Sequence, residues 1–273
     1  MIELFQRVAS FFKIDTHEIL FDIFEGNAKS VLDKKLSTLS PYHQKILLEE
    51  DEKYHYGDSE LQEVASQHIV RSFTIDRIKF ILECLGDDDK NSTIIDLGDS
   101  NGIFLRSLDK DGISVNISKQ IVLYTKSKNL DTIRADIQFL PFKKNSIDTI
   151  LLFETLEHVE NPLLLLNEIG RICKKSLIMS IPFVKKTHIN RYNYTDGRPI
   201  YQYHIFEFNQ NDFKNIVKLT RFSLKNENIA VVLDDKIHIT HRILFYLWAK
   251  FIDQDTFCGC FKKFYMVHLI KKT

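Results

Sequence analysis

The run STIIDLGDSNG, residues 92–102, constrains the fold of this chain more than any other stretch. It starts with apolar and β-branched residues, which are typical of a short buried strand. A turn with Gly98, Gly102 and an N-cap-type Asp and Asn follows, and the apolar run IFLRSL then predicts the start of a helix. Glycine has no Cβ and adopts positive φ readily, so the backbone of such a turn can approach a ligand closely. In a parallel sheet that ligand lies beyond the carboxyl end of the first strand, facing loop amides and the helix N-terminus.

From residue 92 onwards, strand patterns alternate with helix patterns. Asn161 followed by Pro162 is a typical helix start, and this helix is predicted to run to about Cys173. A further helix is predicted at 210–219. Such alternation is typical of parallel strands joined by crossover helices. The other predicted strands are 113–118, 131–137, 146–153, 176–183, 222–233 and 264–272.

Three other segments have distinct patterns. Residues 1–90 have a mainly helical pattern, and residues 239–252 form an apolar helix with the chain's one tryptophan, Trp248. Residues 184–208 form a long segment rich in Tyr, His and Asn. Long connections inside a compact domain are often functional, so we expect residues 184–208 to contribute to a site.

Charge and cysteine content exclude several classes of protein. Lys plus Arg and Asp plus Glu both number 37, so the formal net charge is zero, which argues against broad nucleic-acid binding. Four cysteines do not make a disulfide framework and favour a reducing compartment. The first residues lack the apolar core of a secretory signal, and the longest apolar run, residues 243–249, is too short to span a bilayer. We therefore expect a cytoplasmic protein with no membrane span.

Five sequence blocks carry a family resemblance. In this combination and order the chain resembles the class I S-adenosylmethionine-dependent methyltransferases, in the branch called type 11, from about residue 74 to the C-terminus. The resemblance implies an α/β, Rossmann-like seven-stranded sheet flanked by helices, with an antiparallel final strand. We predict a helical N-terminal cap at 1–73 and a methyltransferase domain at 74–273, with the inserted helix near 239–252. The blocks are IIDLGDSNG (94–102), ADIQFLPF (135–142), SIDTILLFETLEHVENP (146–162), SLIMSIPF (176–183) and YHIFEFNQNDF (203–213).

The resemblance implies S-adenosyl-L-methionine as the cofactor and assigns its binding residues. The Asp96 carboxylate would lie near the cofactor's ammonium end, although a helix-capping role is the alternative. Asp136 would accept a hydrogen bond from the adenine amino group, Ile137 would pack near the ring, and the Phe153 backbone would contact the methionine end. The predicted cofactor-binding residues are Asp96, Gly98, Asp99, Ser100, Asn101, Gly102, Asn116, Asp136, Ile137 and Phe153.

Two residues depart from the family's pattern. Ser100 stands where the family's loop has glycine, and Asn116 stands where an acidic residue binds the ribose hydroxyls. Asn offers one acceptor oxygen without charge, and a lost charged hydrogen bond is worth about 1.5–3 kcal/mol. The alternatives are a methyltransferase with weakened cofactor binding and a non-catalytic cofactor-binding module that retains the fold. A nucleotide-dependent oxidoreductase is disfavoured, because Ser100 and Ile103 occupy glycine positions of the G-x-G-x-x-G fingerprint.

Catalytic residues cannot be assigned from the sequence, because the cofactor supplies the reactive carbon and the protein mainly aligns the acceptor. The substrate-side candidates are His204, Tyr203 and His158, with His204 first as a base. Structural alternatives are that His204 and Glu207 fix the chain and that His158 is a pocket wall. No metal site is predicted, since the pair Cys258 and Cys260 lacks the four ligands of a structural zinc site.

The acceptor is predicted only by class. A small molecule is favoured, because residues 1–90 and 184–208 could close over a pocket. No nucleic-acid partner is expected, and a homodimer is left open. A lipid-modifying methyltransferase at the membrane surface is a further alternative, resting on the apolar residues 239–252.

Overall fold

The computed structural model describes seven ranges of the chain. The described residues fall into two compact units, a larger one that contains the whole sheet and a smaller one made of 29–39 and 63–73. The larger unit also contains the helix Pro41–Glu49 and the part of the helix Glu63–Cys84 that begins at Thr74. The predicted boundary at residue 73 stays a prediction, because much of the proposed cap lies outside the described residues. The described ranges are 29–49, 63–85, 92–108, 111–184, 186–189, 204–231 and 263–272.

Nine strands occur within these ranges, and seven of them form one sheet. Its order is β3-β2-β1-β4-β5-β9-β8. Strands β1 to β5 pair in parallel, whereas β9 is antiparallel to both β5 and β8. The predicted seven-stranded sheet with an antiparallel final strand is thereby confirmed. The strands are β1 Ile94–Leu97, β2 Gly112–Asn116, β3 Asp131–Arg134, β4 Ile147–Phe153, β5 Cys173–Phe183, β6 His188–Ile189, β7 Phe206–Glu207, β8 Phe222–Val231 and β9 Lys263–Lys271.

Helices follow the strands as the alternation predicts. The predicted start of α5 is confirmed: Asn161 Oδ1 accepts a hydrogen bond from Leu164 N, and Pro162 occupies the first helical turn. Asn209 caps α6 in the same way, and a short 3₁₀ turn, Leu156–His158, follows β4. No described helix is both long and apolar enough to cross a membrane. Residues 29–36 are also helical. The helices whose bounds are used below are α1 Pro41–Glu49, α2 Glu63–Cys84, α3 Ile103–Ser107, α4 Lys119–Ser127, α5 Pro162–Ile172 and α6 Gln210–Lys218.

The central strands are buried along their whole length. Every residue of β1 and β4 is buried, as expected for parallel strands covered by helices on both faces. The apolar face of α5, including Leu165 and Ile169, packs into the same core. The carboxyl ends of the parallel strands therefore extend from a closely packed core. Asp96 is the one acidic residue within β1.

Several boundaries differ from the sequence predictions. The third strand ends at Arg134 rather than 137, because Phe139 N donates to Asp136 O and turns the chain. β5 begins at Cys173, directly after α5. Parts of 184–208 form β6 and β7, which pair as a separate two-stranded antiparallel sheet. The predicted helix at 239–252 and Tyr203 lie outside the described residues.

Candidate functional site

The loop between β1 and α3 has the backbone that the sequence predicts. Gly98 and Gly102 both adopt positive φ, 80° and 75°. Asp99 Oδ1 accepts hydrogen bonds from the N–H groups of Asn101 and Gly102, at 3.1 and 2.7 Å. Asn101 Oδ1 in turn accepts from Ile103 N at 3.1 Å. These short polar side chains hold the loop and the start of α3 in place.

A Cβ at either glycine would come too close to a neighbouring side chain. A Cβ at Gly98 would lie 2.5 Å from Thr155 Oγ1, and one at Gly102 would lie 2.2 Å from Leu130 Cδ1. Ser100 is different, since the described residues other than glycine with positive φ are Asn129, Asn145 and Glu154. A serine at position 100 is therefore accommodated without backbone strain.

Asp96 is a buried carboxylate at the base of this loop. It is 2% exposed, and its Oδ2 has no hydrogen-bond partner among the described residues. Burial raises the pKa of the Asp96 carboxyl well above its usual value, and nearby Asp99 adds to the rise. A buried polar oxygen without a partner is costly, and a cationic ligand group at this position would remove that cost. The residues present thus fit the ammonium end of an amino-acid-containing cofactor.

Asn116, at the end of β2, forms hydrogen bonds with the loop after β1 and with the start of the segment after β2. Its Nδ2 donates to Asp99 O at 2.8 Å, and its Oδ1 accepts from Ser118 N at 2.8 Å. The amide therefore has a structural role in addition to any contact with a ligand. One N–H and one lone pair remain on this side chain, so its predicted contact with ribose stays a prediction.

The other predicted cofactor residues lie at the ends of β3 and β4. Asp136 follows β3, and its Oδ1 accepts from Gln138 N at 2.9 Å, while the half-buried Ile137 packs against the core. Phe153 ends β4, with its ring centroid 4.5 Å from that of Phe104. Parallel pairing of these strands places all of these positions at one edge of the sheet.

An ion pair beside this edge was not predicted from the sequence. Glu154 directly follows β4 with φ of 45°, and its Oε1 lies 3.1 Å from Arg77 Nη2 and accepts from Ser180 Oγ at 2.7 Å. Arg77 Nε donates to Ser180 Oγ at 3.1 Å, and the guanidinium stacks 4.6 Å from the Phe264 ring centroid. No local signal links Arg77 to Glu154, because the two belong to separate blocks of sequence.

Two predicted acceptor-side histidines meet at a buried glutamate. His204 and His158 pack edge to face with ring centroids 4.8 Å apart. His204 Nδ1 lies 2.6 Å from Glu207 Oε1, and its Nε2 lies 4.0 Å from Glu157 Oε1. The contact with Glu207 agrees with the structural alternative for His204. We call these four residues, Glu157, His158, His204 and Glu207, the histidine cluster.

Glu157 is not among the substrate-side candidates that the sequence analysis names. It is 1% exposed, and neither carboxylate oxygen has a hydrogen-bond partner within the described ranges. Burial raises the pKa of the Glu157 carboxyl well above its usual value, and the nearby Glu154 contributes further. Ile205 N donates to the backbone O of Glu157 at 2.7 Å and so fixes the two segments together.

Comparison with known proteins supports the resemblance. Residues 95–179 match the family described as "Methyltransferase domain". A search of curated protein sequences found no significant match. The match confirms the resemblance to class I S-adenosylmethionine-dependent methyltransferases over these residues, and it implies S-adenosylmethionine as the cofactor.

Solved structures share the fold at low sequence identity. A proposed methyltransferase from Bacillus halodurans C-125 is 14% identical with a TM-score of 0.53, over 72% of this chain and 99% of the other. A SAM-dependent methyltransferase from Methanosarcina mazei is 12% identical with a TM-score of 0.50, over 71% and 97%. The [4+2]-cyclase SpnF is 12% identical with a TM-score of 0.54, over 90% and 96%. These likenesses establish the fold.

Proposed function

We propose that this chain, which carries a class I methyltransferase domain, transfers a methyl group from S-adenosylmethionine to a small-molecule acceptor. The observation that carries the proposal is the buried Asp96 carboxylate, with an unpartnered oxygen among the described residues, beside a loop whose two glycines adopt positive φ. This arrangement costs stability on its own and is compensated when a cationic group binds. We further propose that the protein is cytoplasmic, that it has no nucleic-acid partner and that it can form a homodimer.

The residues in the β1–α3 loop and at the carboxyl ends of the neighbouring strands would each bind a different part of the cofactor. Asp96 would pair with the ammonium group, and Gly98 and Gly102 would leave the backbone open to close approach. Asn116 and Asp136, at the ends of the next two strands, would face the ribose and the adenine amino group. When bound, the cofactor supplies an activated methyl carbon and a thioether leaving group. The protein contributes alignment of the acceptor and exclusion of water.

We assign the part of the site that faces the methyl acceptor to the histidine cluster. In methyl transfer the sulfur–carbon bond breaks as an acceptor lone pair bonds to the methyl carbon, and an O–H or N–H acceptor then releases a proton. His204 is oriented by Glu207 at 2.6 Å and is our candidate to receive that proton. Thr155 joins the two regions: its Oγ1 lies beside Gly98 and it precedes the turn that carries Glu157 and His158.

A second candidate function is a cofactor-binding module without methyl transfer. The use of both polar atoms of Asn116 in backbone hydrogen bonds favours it, since these contacts compete with ribose binding. The fold alone does not separate the two functions, because one structural neighbour is described as a [4+2]-cyclase.

The test is formation of S-adenosylhomocysteine by the full chain. The purified protein is incubated with S-adenosylmethionine and a panel of hydroxyl, amine and carboxylate small molecules, and methylated product is followed by mass spectrometry. We expect one equivalent of S-adenosylhomocysteine per methylated acceptor, with activity lost in Asp96→Asn and retained in Asp111→Asn, a change at an exposed aspartate. Cofactor binding without turnover of any acceptor would favour the second function, and absence of binding would contradict both.

A further inference from the structure

The donor atoms of the histidine cluster converge on one point. One donor atom each from Glu157, His158 and His204 lies within 4.8 Å of the other two. Donors bound at about 2.1 Å to one tetrahedral ion lie about 3.4 Å apart, so small side-chain rotations suffice to bring the three onto an ion. The donors are two imidazoles and a carboxylate, a set that binds zinc, manganese and iron in proteins.

A second observation points independently to a missing ligand. Glu157 is 1% exposed, and both of its carboxylate oxygens have no hydrogen-bond partner in the described part of the chain. Buried carboxylates are ordinarily hydrogen-bonded, paired with a cation or bound to a metal. His204 Nε2 lies 4.0 Å from Glu157 Oε1, too far for a hydrogen bond.

His204 is held in the manner of a metal-ligating histidine. Its Nδ1 contacts Glu207 Oε1 at 2.6 Å, while its Nε2 faces Glu157. Histidine ligands commonly donate their second ring N–H to a carboxylate, which fixes the tautomer and the orientation of the ring. Glu207 is itself buried, so this orientation does not depend on an exposed, mobile partner.

The local charge also favours a cation. Three carboxylates, those of Glu154, Glu157 and Glu207, interact electrostatically here, and the Arg77 cation also acts on Glu157. The Arg77 guanidinium forms its ion pair with Glu154, at 3.1 Å. A divalent ion would compensate the remaining carboxylates at the place where the unpartnered oxygens lie.

We propose that Glu157, His158 and His204 bind one divalent transition-metal cation, with Glu207 as a positioning residue for His204. Three protein ligands leave at least one coordination position open, as in catalytic rather than structural sites. His158 is exposed, so that position can be reached by an exogenous ligand. Resting on the proposed function, we assign the open position to an oxygen of the methyl acceptor, which makes a hydroxyl-bearing acceptor the favoured class. With the ion bound, His204 would be a ligand and not the base; the ion would then lower the pKa of the hydroxyl, whose proton would leave to solvent.

The test is metal binding by the full chain, which needs no acceptor. Chelator-treated protein is titrated with manganese chloride and, separately, zinc chloride by isothermal titration calorimetry. We expect one equivalent bound, with affinity reduced at least tenfold in Glu157→Gln and in His158→Gln. Glu160→Gln is the matched control, an exposed glutamate three residues along the chain, and should bind like the unmodified protein. X-ray absorption at the zinc edge should show nitrogen and oxygen neighbours without sulfur, which separates this site from the cysteines.

The outcomes separate this proposal from the methyltransferase proposal. S-adenosylhomocysteine binding is measured on the same variants in the presence of a chelator, and we expect it to change by less than twofold. No stoichiometric metal binding, or equal affinity in all the variants, overturns the metal site even if the cofactor binds. His158→Gln changes an exposed residue, so it tests the site even where Glu157→Gln fails to fold.

Discussion

Replacing Gly98 by alanine tests the reasoning about the loop quantitatively. The left-handed backbone at φ 80° costs an L-residue about 1–2 kcal/mol. The new Cβ would also stand 2.5 Å from Thr155 Oγ1 and 2.8 Å from its Cγ2, and overpacking of this kind costs about 1–3 kcal/mol. Thr155 cannot easily turn away, because its hydroxyl donates to Phe153 O at 2.8 Å. We therefore expect Gly98→Ala to lower the free energy of unfolding by about 2–5 kcal/mol.

A double-mutant cycle separates the two contributions. Thr155→Ala removes both close atoms and costs about 0.5–1.5 kcal/mol through its lost hydrogen bond. In that background Gly98→Ala should retain only the backbone cost of about 1–2 kcal/mol. Urea unfolding followed by circular dichroism gives all four free energies. Gly170→Ala, in α5 at ordinary φ, is the control and should stay within about 1 kcal/mol of the unmodified protein. An equal cost of Gly98→Ala in both backgrounds would refute the steric argument.

Three further predictions concern charged side chains. The pKa of the Asp96 carboxyl is higher in the folded protein than in the unfolded chain. As pH rises above about 4, the unfolded chain therefore loses the carboxyl proton before the folded protein does, and the folded state loses stability. Asp96→Asn removes this titration, so its Tm should drop less between about pH 5 and 7 than the Tm of the unmodified protein. Arg77→Met should cost about 2–4 kcal/mol in urea unfolding, since it leaves Glu154 without its cation, and Glu154→Gln should recover part of that loss. Lys271→Met should lower the free energy of unfolding by about 1.5–3 kcal/mol in the same assay, because it removes charged hydrogen bonds to the carbonyls of Gly170 and Cys173. Lys174→Met, at an exposed lysine, is the control and should cost under about 0.5 kcal/mol.

Local sequence patterns predicted the parts of the fold that depend on short-range chemistry. The glycine loop, the cap at Asn161 and the parallel strands joined by helices follow from turn residues, capping residues and the alternation of apolar segments. The end of β3 was misplaced because a turn at Asp136 competes with the apolar pattern that continues to Ile137. Propensity alone does not resolve that competition.

The candidate site was only partly predictable, because its main contacts join distant segments. Arg77 reaches Ser180 across 103 positions, and His204 meets Glu157 across 47. Nothing in the residues around Arg77 distinguishes it from a surface arginine of an amphipathic helix. A detectable signal did exist for Glu157: it is an acidic residue four positions after the apolar strand β4 ends, beside the already suspected His158. Its burial, which gives it significance, comes only from tertiary packing.

The most direct test of the central claim is calorimetric titration of the full chain with S-adenosylhomocysteine. The account predicts one-to-one binding that weakens at least tenfold in Asp96→Asn and is unchanged in Asp111→Asn. Absence of binding, or equal affinity in the two variants, would contradict the assignment of the cofactor to the loop that begins at Asp96.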